Sequence, residues 1–267
     1  MLTSEQLKNF FETGFHVGSI EELTDNSEWF NATCDTIINF PDYEPSHWDC
    51  FYPIVNFHNN LDMPPIIPLQ DVPERDMFVR KNNLQWHQKW YRLISIPEPL
   101  EEPKNNLRIL VERFLRNDVY SHIFTTENLK KGWIINFNDN ITMYDDKGCY
   151  ICKHQDGGEA KNHSASGKIA AVIVYLTNKE EWSEKNGGEF VCTANNFENT
   201  EPISEKIPPV RGTYVMIDFT KNNVWHEVLP VRHGFKRWSY LAFTRLACPE
   251  GYINFEGEAL DVSGNPI

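Results

Sequence analysis

Ile169-Ala170-Ala171-Val172-Ile173-Val174-Tyr175-Leu176-Thr177 is the stretch that decides the fold class, a β-branched and aromatic run of strand length. It is one of a series. Runs of the same kind occupy 133–137, 149–153, 189–193, 213–219, 224–229 and 238–246, separated by Gly, Asn, Asp and Pro. Regularly spaced strands without helical patterns between them predict a mainly β protein, a sandwich or small barrel with flanking helices.

The flanks are read next. Thr3-Ser4-Glu5-Gln6 has the form of a capping box, followed by Leu7, Phe10 and Phe11 at helical spacing and by Gly14 as a stop. Leu107, Leu110, Val111, Phe114 and Leu115 predict an amphipathic helix over 105–117. From 31 to 103 the prolines and aromatics predict irregular covering loops and short elements. Within that region Trp86-His87-x-x-Trp90 suits a substrate-facing cover and an apolar cap equally. The expected organisation is one structural domain with three parts: a helical and loop-rich covering region over 1–130, the β core over 131–250, and a tail over 251–267.

The 267 residues are 40% hydrophobic and 13% aromatic, ample for a packed core and unlike a disordered chain. A net charge of −13 with no basic stripe argues against a nucleic-acid partner or an anionic membrane surface. No apolar run reaches the ~18 residues of a membrane span. The first residues lack the basic-then-apolar order of a signal peptide, and the six cysteines are scattered. Reduced thiols and a cytoplasmic location are therefore expected. Cys149-Tyr150-Ile151-Cys152 has no second pair to complete a zinc site, so core packing is the expected role of its thiols.

His154-Gln155-Asp156 ends a predicted strand, and residues two apart on a strand share a face. His226 lies 72 residues later in another strand-like run, Trp225-His226-Glu227-Val228. Two imidazoles and one carboxylate that leave coordination positions open are the facial triad suited to iron(II). Arg237 and Ser239 share a face of the last long strand. A guanidinium pairs bidentately with a carboxylate, and a barrel interior would not hold it unpaired without a cost of several kcal/mol. Arg237 therefore meets either an internal acid or the distal carboxylate of a bound diacid.

The residues from about Tyr144 to Phe243 resemble the 2-oxoglutarate oxygenase superfamily, with a prolyl 4-hydroxylase-like core. The matching pieces come in order: His154-Gln155-Asp156, Val174-Tyr175-Leu176-Thr177-Asn178, Trp182 with Asn186-Gly187-Gly188-Glu189-Phe190, Pro208-Pro209-Val210-Arg211-Gly212, His226-Glu227-Val228 and Arg237-Trp238-Ser239. The start, from Leu2 to Phe15, together with His-Gln-Asp, is instead similar to the phytanoyl-CoA hydroxylase branch. Many procollagen-type members carry Lys where this chain has Arg237.

The resemblance implies a double-stranded β-helix, the cupin-like jelly roll, with the active site inside its open end. It implies that His154, Asp156 and His226 bind iron(II), and that Arg237, assisted by Ser239, pairs with the far carboxylate of 2-oxoglutarate. Tyr175 and Tyr144 match tyrosines lining that pocket. The cosubstrates implied are 2-oxoglutarate and O2, with ascorbate as a reductant, and the products are succinate, carbon dioxide and an oxidised substrate. Asp156, where halogenating relatives carry a small residue, favours hydroxylation. Peptidyl proline is the first substrate class this suggests, and a free amino acid or lipid-derived acid the second. A cupin-like binding module without catalysis is the reading from another class, and the intact triad and Arg237 argue against it.

Overall fold

Every residue from Ile169 to Tyr175 is buried, because the two faces of this strand meet two different cores. Ala171, Ile173 and Tyr175 face one cluster, while Ile169, Ala170, Val172 and Val174 face the other. That double burial explains why the run reads as continuously apolar rather than alternating. The structure, a computed structural model, describes residues 2–51, 54–56, 79–80, 83–154, 168–194, 202–221, 224–254, 256–261 and 265–267. Of the described residues between 50 and 89, and of Cys152, only the backbone is described.

In chain order the first elements are α1 (Ser4–Thr13), β1 (Phe15–Ser19), α2 (Ser27–Ile38), β2 (Trp48–Phe51), β3 (Ile54–Asn56), β4 (Val79–Arg80) and β5 (Asn83–Leu93). Next come α3 (Glu98–Phe114), α4 (Thr126–Lys130), β6 (Ile134–Tyr144), β7 (Tyr150–His154), β8 (Lys168–Tyr175), β9 (Phe190–Ala194) and β10 (Ile203–Ile207). The last are β11 (Thr213–Asp218), β12 (Val224–Val228), β13 (Arg237–Cys248), β14 (Gly251–Ile253) and β15 (Ala259–Leu260). A major sheet in the order β1-β11-β8-β13-β6 and a minor sheet in the order β7-β12-β9-β10 are joined through β5, which pairs with both β6 and β7. All of these pairings are antiparallel. This is a mainly β architecture with a few flanking helices, a double-stranded β-helix.

Apart from Ile169 at the start of β8, the apolar residues of β8 and β11 sort by parity, which places the cores. Odd-numbered Ala171, Ile173, Val215 and Ile217 face Phe190, Val224 and Val228 of the minor sheet. Even-numbered Val172, Val174, Tyr214 and Met216 face the helices, including Phe10 of α1, Phe30 of α2 and Leu107 of α3. Trp238 shows the same division on β13. It points away from the cavity and stacks on Tyr43 at 5.6 Å, with Trp48 edge-on at 5.5 Å.

The Thr3–Gln6 capping box and the left-handed Gly14 cap (φ 84°) bound α1 as expected. All seven expected strands are present. Three readings differ. Residues 27–38 form α2 rather than a loop: Asn26 accepts a hydrogen bond from the Trp29 amide, and Phe30, Thr33, Cys34 and Ile37 bury one face. Its β-branched Thr33, Thr36 and Ile37 had masked the helical spacing. The helix expected at 105–117 begins at Glu98, because Pro99 sits in a first turn that needs no amide donor. The strand expected at 133–137 runs on to Tyr144, its Asn-Asp-Asn centre held by an unbroken ladder with β13.

Arg211 of the Pro-Pro-Val-Arg-Gly segment ties the helical layer to the sheet, bonding Asp35 at 2.7 Å and the Leu176 carbonyl at 2.9 Å. Cys34, Cys149, Cys192 and Cys248 are buried free thiols. The Cys149 thiol donates to Asp145. No helix among the described residues is long and apolar enough to cross a membrane.

Candidate active site

β7 and β12 bring His154 and His226 into direct cross-strand register. Partners across an antiparallel pair project to the same side. The two imidazole rings lie 4.1 Å apart, centre to centre, and only 5% and 6% of the residues is exposed. Phe190 of β9 packs 5.4 Å from the His226 ring. Asp156 lies outside the described residues, and among those described no group of three His, Cys, Asp or Glu side chains gathers.

A second cluster is built on the first residues of β13. Arg237 is opposite Tyr144 of β6, and Ser239 is opposite both Thr142 of β6 and Tyr175 of β8. Arg237 is 2% exposed. Its Nη1 donates to Ser239 Oγ at 3.3 Å and its Nη2 to the Tyr175 hydroxyl at 3.5 Å. Its guanidinium carbon stands 4.7 Å from the Tyr144 ring centre and 5.0 Å from that of Tyr175. Such contacts are worth about 2 kcal/mol or more when desolvated. Burial pushes the Tyr175 phenol up to about 12, against the pull of Arg237, so it remains a neutral hydroxyl at ordinary pH.

No described carboxylate lies within ion-pair distance of Arg237, and its Nε makes no hydrogen bond among the described residues. A buried cation without a counter-ion costs several kcal/mol. The arrangement is therefore suited to an incoming anion. Trp90, Tyr144, His154, His226, Arg237 and Ser239 line one cavity of about 200 Å³ between the sheets. Its remaining walls are largely apolar, so a charge inside meets little competing water.

Thr142 escaped the sequence reading, and Trp90 entered it only as part of a cover or cap. Thr142 shares a 2.7 Å hydrogen bond with Ser239 and lines the cavity. Its signal was present, two positions before Tyr144, but only a strand reaching Tyr144 puts both on one face. Trp90 stacks on Tyr144 at 6.1 Å and 12°, and nothing in its sequence context distinguishes it from a core aromatic. The side chains of Trp86 and His87 are outside those described.

The glycine pair beside the site has a packing reason. Gly187 adopts φ 65°, ψ −151°, a region that is essentially glycine-only, and a β-carbon there would stand 2.1 Å from the Pro230 carbonyl oxygen. Glu189 follows it and pairs with Lys206 at 2.7 Å, a structural role. Gly187→Ala is expected to destabilise the fold by roughly 1–3 kcal/mol from backbone strain alone, read as a lower midpoint in urea unfolding. An unchanged midpoint would contradict the close approach of the two loops.

The model of the 2OG-Fe(II) oxygenase superfamily matches residues 140–245. No curated protein sequence matches the chain. Among solved structures, a Trichoplax adhaerens prolyl hydroxylase, in complex with a hypoxia inducible factor oxygen degradation domain peptide, is similar at TM-score 0.51 and 14% identity, over 90% of this chain and 87% of that one. AviO1 from Streptomyces viridochromogenes is similar at TM-score 0.50 and 11% identity, over 93% and 99%. SnoN, a non-heme alpha-ketoglutarate-dependent epimerase from nogalamycin biosynthesis, is similar at TM-score 0.50 and 10% identity, over 98% and 91%. At these identities the likeness is one of fold.

Proposed function

We propose that the core matched by the 2OG-Fe(II) oxygenase superfamily model, residues 140–245, is an oxygenase core whose cavity is where iron(II) and 2-oxoglutarate are held for hydroxylation of a substrate C–H bond. The enzyme is a 2-oxoglutarate-dependent oxygenase, using iron(II), 2-oxoglutarate and O2. The observation that carries the site assignment is the buried Arg237, without a described acid partner, sharing one cavity with two facing imidazoles. These residues fit the implied groups. His154 and His226 offer nitrogen donors on one side, and Asp156 would add the carboxylate two positions after His154.

When bound, iron(II) with 2-oxoglutarate and O2 supplies the oxidising power: O2, 2-oxoglutarate and R–H give R–OH, succinate and carbon dioxide. The chain's own residues do the rest. Arg237, oriented by Ser239 and Thr142, would hold the distal carboxylate. The Tyr175 hydroxyl, neutral and 3.5 Å from Nη2, would donate to the same anion. Ile151, Ile173, Ile217 and Leu241 exclude water from the reacting carbon.

Peptidyl proline is one substrate class to test, in keeping with the prolyl hydroxylase likeness of the core. A small organic acid is the other. Mixing the protein with iron(II) and 2-oxoglutarate without oxygen should give a weak visible charge-transfer band. Admitting air, with ascorbate to keep the iron ferrous, should then release succinate. A chain that gives neither band nor succinate is a binding module and not an oxygenase.

A further inference from the structure

The cavity face of the major sheet continues past the imidazoles. From Leu241 on, β13 alternates: Ala242, Thr244 and Leu246 are buried, while Leu241, Phe243 and Arg245 are partly exposed. The odd-numbered face thus opens to solvent. Opposite these residues on β6 stand Asn140, Asn138 and Asn136, the last two exposed. On the other side, the ladder with β8 slips between Thr244 and Arg245, so that Arg245 faces Lys168. A slip of this kind inserts one extra residue and re-aims its neighbours. Ile169 and Ala170 both join the outer core, and Lys168 turns to the cavity side, its ammonium 4.6 Å from the Phe243 ring centre.

Two cations therefore stand side by side where the apolar wall of Ile217, Leu241 and Phe243 reaches solvent. Neither pairs with an acid among the described residues, although the chain carries 38 acidic residues against 25 basic ones. Adjacent like charges repel, and an anion placed between them relieves that repulsion. An apolar wall ending in paired cations is complementary to one chemistry, an apolar chain ending in an anion.

We propose that Lys168 and Arg245 form an anion subsite at the rim of the cavity, and that the substrate is a small organic acid. Its carbon chain lies along Ile217, Leu241 and Phe243, and its carboxylate is held by the two cations. This rests on the function proposed for the cavity. Arg245 stands two residues beyond Phe243, about 7 Å along the strand. Asn138, across from Phe243 on the same face, is placed as a neutral donor between wall and rim.

The test uses matched probes, decanoate and decanamide, titrated calorimetrically into the full chain loaded with iron(II) and 2-oxoglutarate, without oxygen. Two partly exposed ion pairs should make decanoate bind about five- to tenfold tighter than decanamide, with the ratio shrinking at high salt. Lys168→Gln with Arg245→Gln should bring the ratio to about one, whereas Lys168→Arg, which keeps the charge, should retain it. A wild-type ratio of one, or a ratio that survives the double substitution in a protein with a wild-type thermal midpoint, overturns the subsite. So does a blocked proline peptide that stimulates succinate release more than any acid tried. The two readings fail separately. Charge preference without 2-oxoglutarate turnover supports the subsite and overturns the proposed function; turnover without charge preference does the reverse.

Discussion

Arg237→Ala is expected to weaken 2-oxoglutarate binding on the order of a hundredfold or more. Removing one partner of a buried charge pair costs about 3–5 kcal/mol, and roughly 1.4 kcal/mol is a factor of ten in affinity. The environment of Arg237 belongs to the upper part of that range, since the residue is 2% exposed and two aromatic rings flank its guanidinium. Iron affinity should change little, because both imidazoles sit on the minor sheet while Arg237 starts a strand of the major one. Arg237→Lys should fall between, keeping the charge but losing the fork. The measurement is the 2-oxoglutarate dissociation constant with iron(II) present and oxygen excluded. Binding within threefold of wild type in Arg237→Ala would remove Arg237 as the anchor. The neighbouring basic residues, Arg232 and Lys236, are exposed, so they offer no substitute inside the cavity.

Replacing any of His154, Asp156 or His226 by Ala should abolish succinate formation while leaving the protein folded. Each is proposed to supply one of three protein ligands, and its loss weakens iron(II) binding and disturbs the open positions on which turnover depends. The outer core that joins α1, α2 and α3 to the major sheet contains none of the three residues, so unfolding should remain cooperative. Succinate release and the anaerobic absorption band, measured on protein checked for metal content, give two independent readouts. Wild-type turnover in the Asp156→Ala protein would refute the triad, and loss of the band in all three variants with normal circular dichroism would support it.

The residue types proposed for the site, His-x-Asp, a distant His and Arg-x-Ser, can be read from the chain alone, and the period-two alternation of a strand puts Arg237 and Ser239 on one face. The β class was legible for the same reason, as was α1, whose start and stop are written in Thr3, Gln6 and Gly14. Local chemistry suffices where the partners are a few residues apart. It does not suffice for α2, whose β-branched residues are read against a helix, or for the middle of β6, where Asn138-Asp139-Asn140 resembles a turn until β13 pairs with it.

Only the tertiary structure decided what lies beside what. Nothing in the sequence distances puts His154 across from His226, Arg237 against Tyr144 or Thr142 onto Ser239, since strands pair by a register chosen over the whole sheet. The turning of Lys168 toward Phe243 depends on one extra residue in a ladder formed with a strand about 75 positions away. From sequence, Lys168 is one more surface lysine. Sequence by itself determined the chemical groups available and the period on which they recur; folding determined which of them share a cavity, because long-range pairing is a property of the assembled sheets and of no single strand.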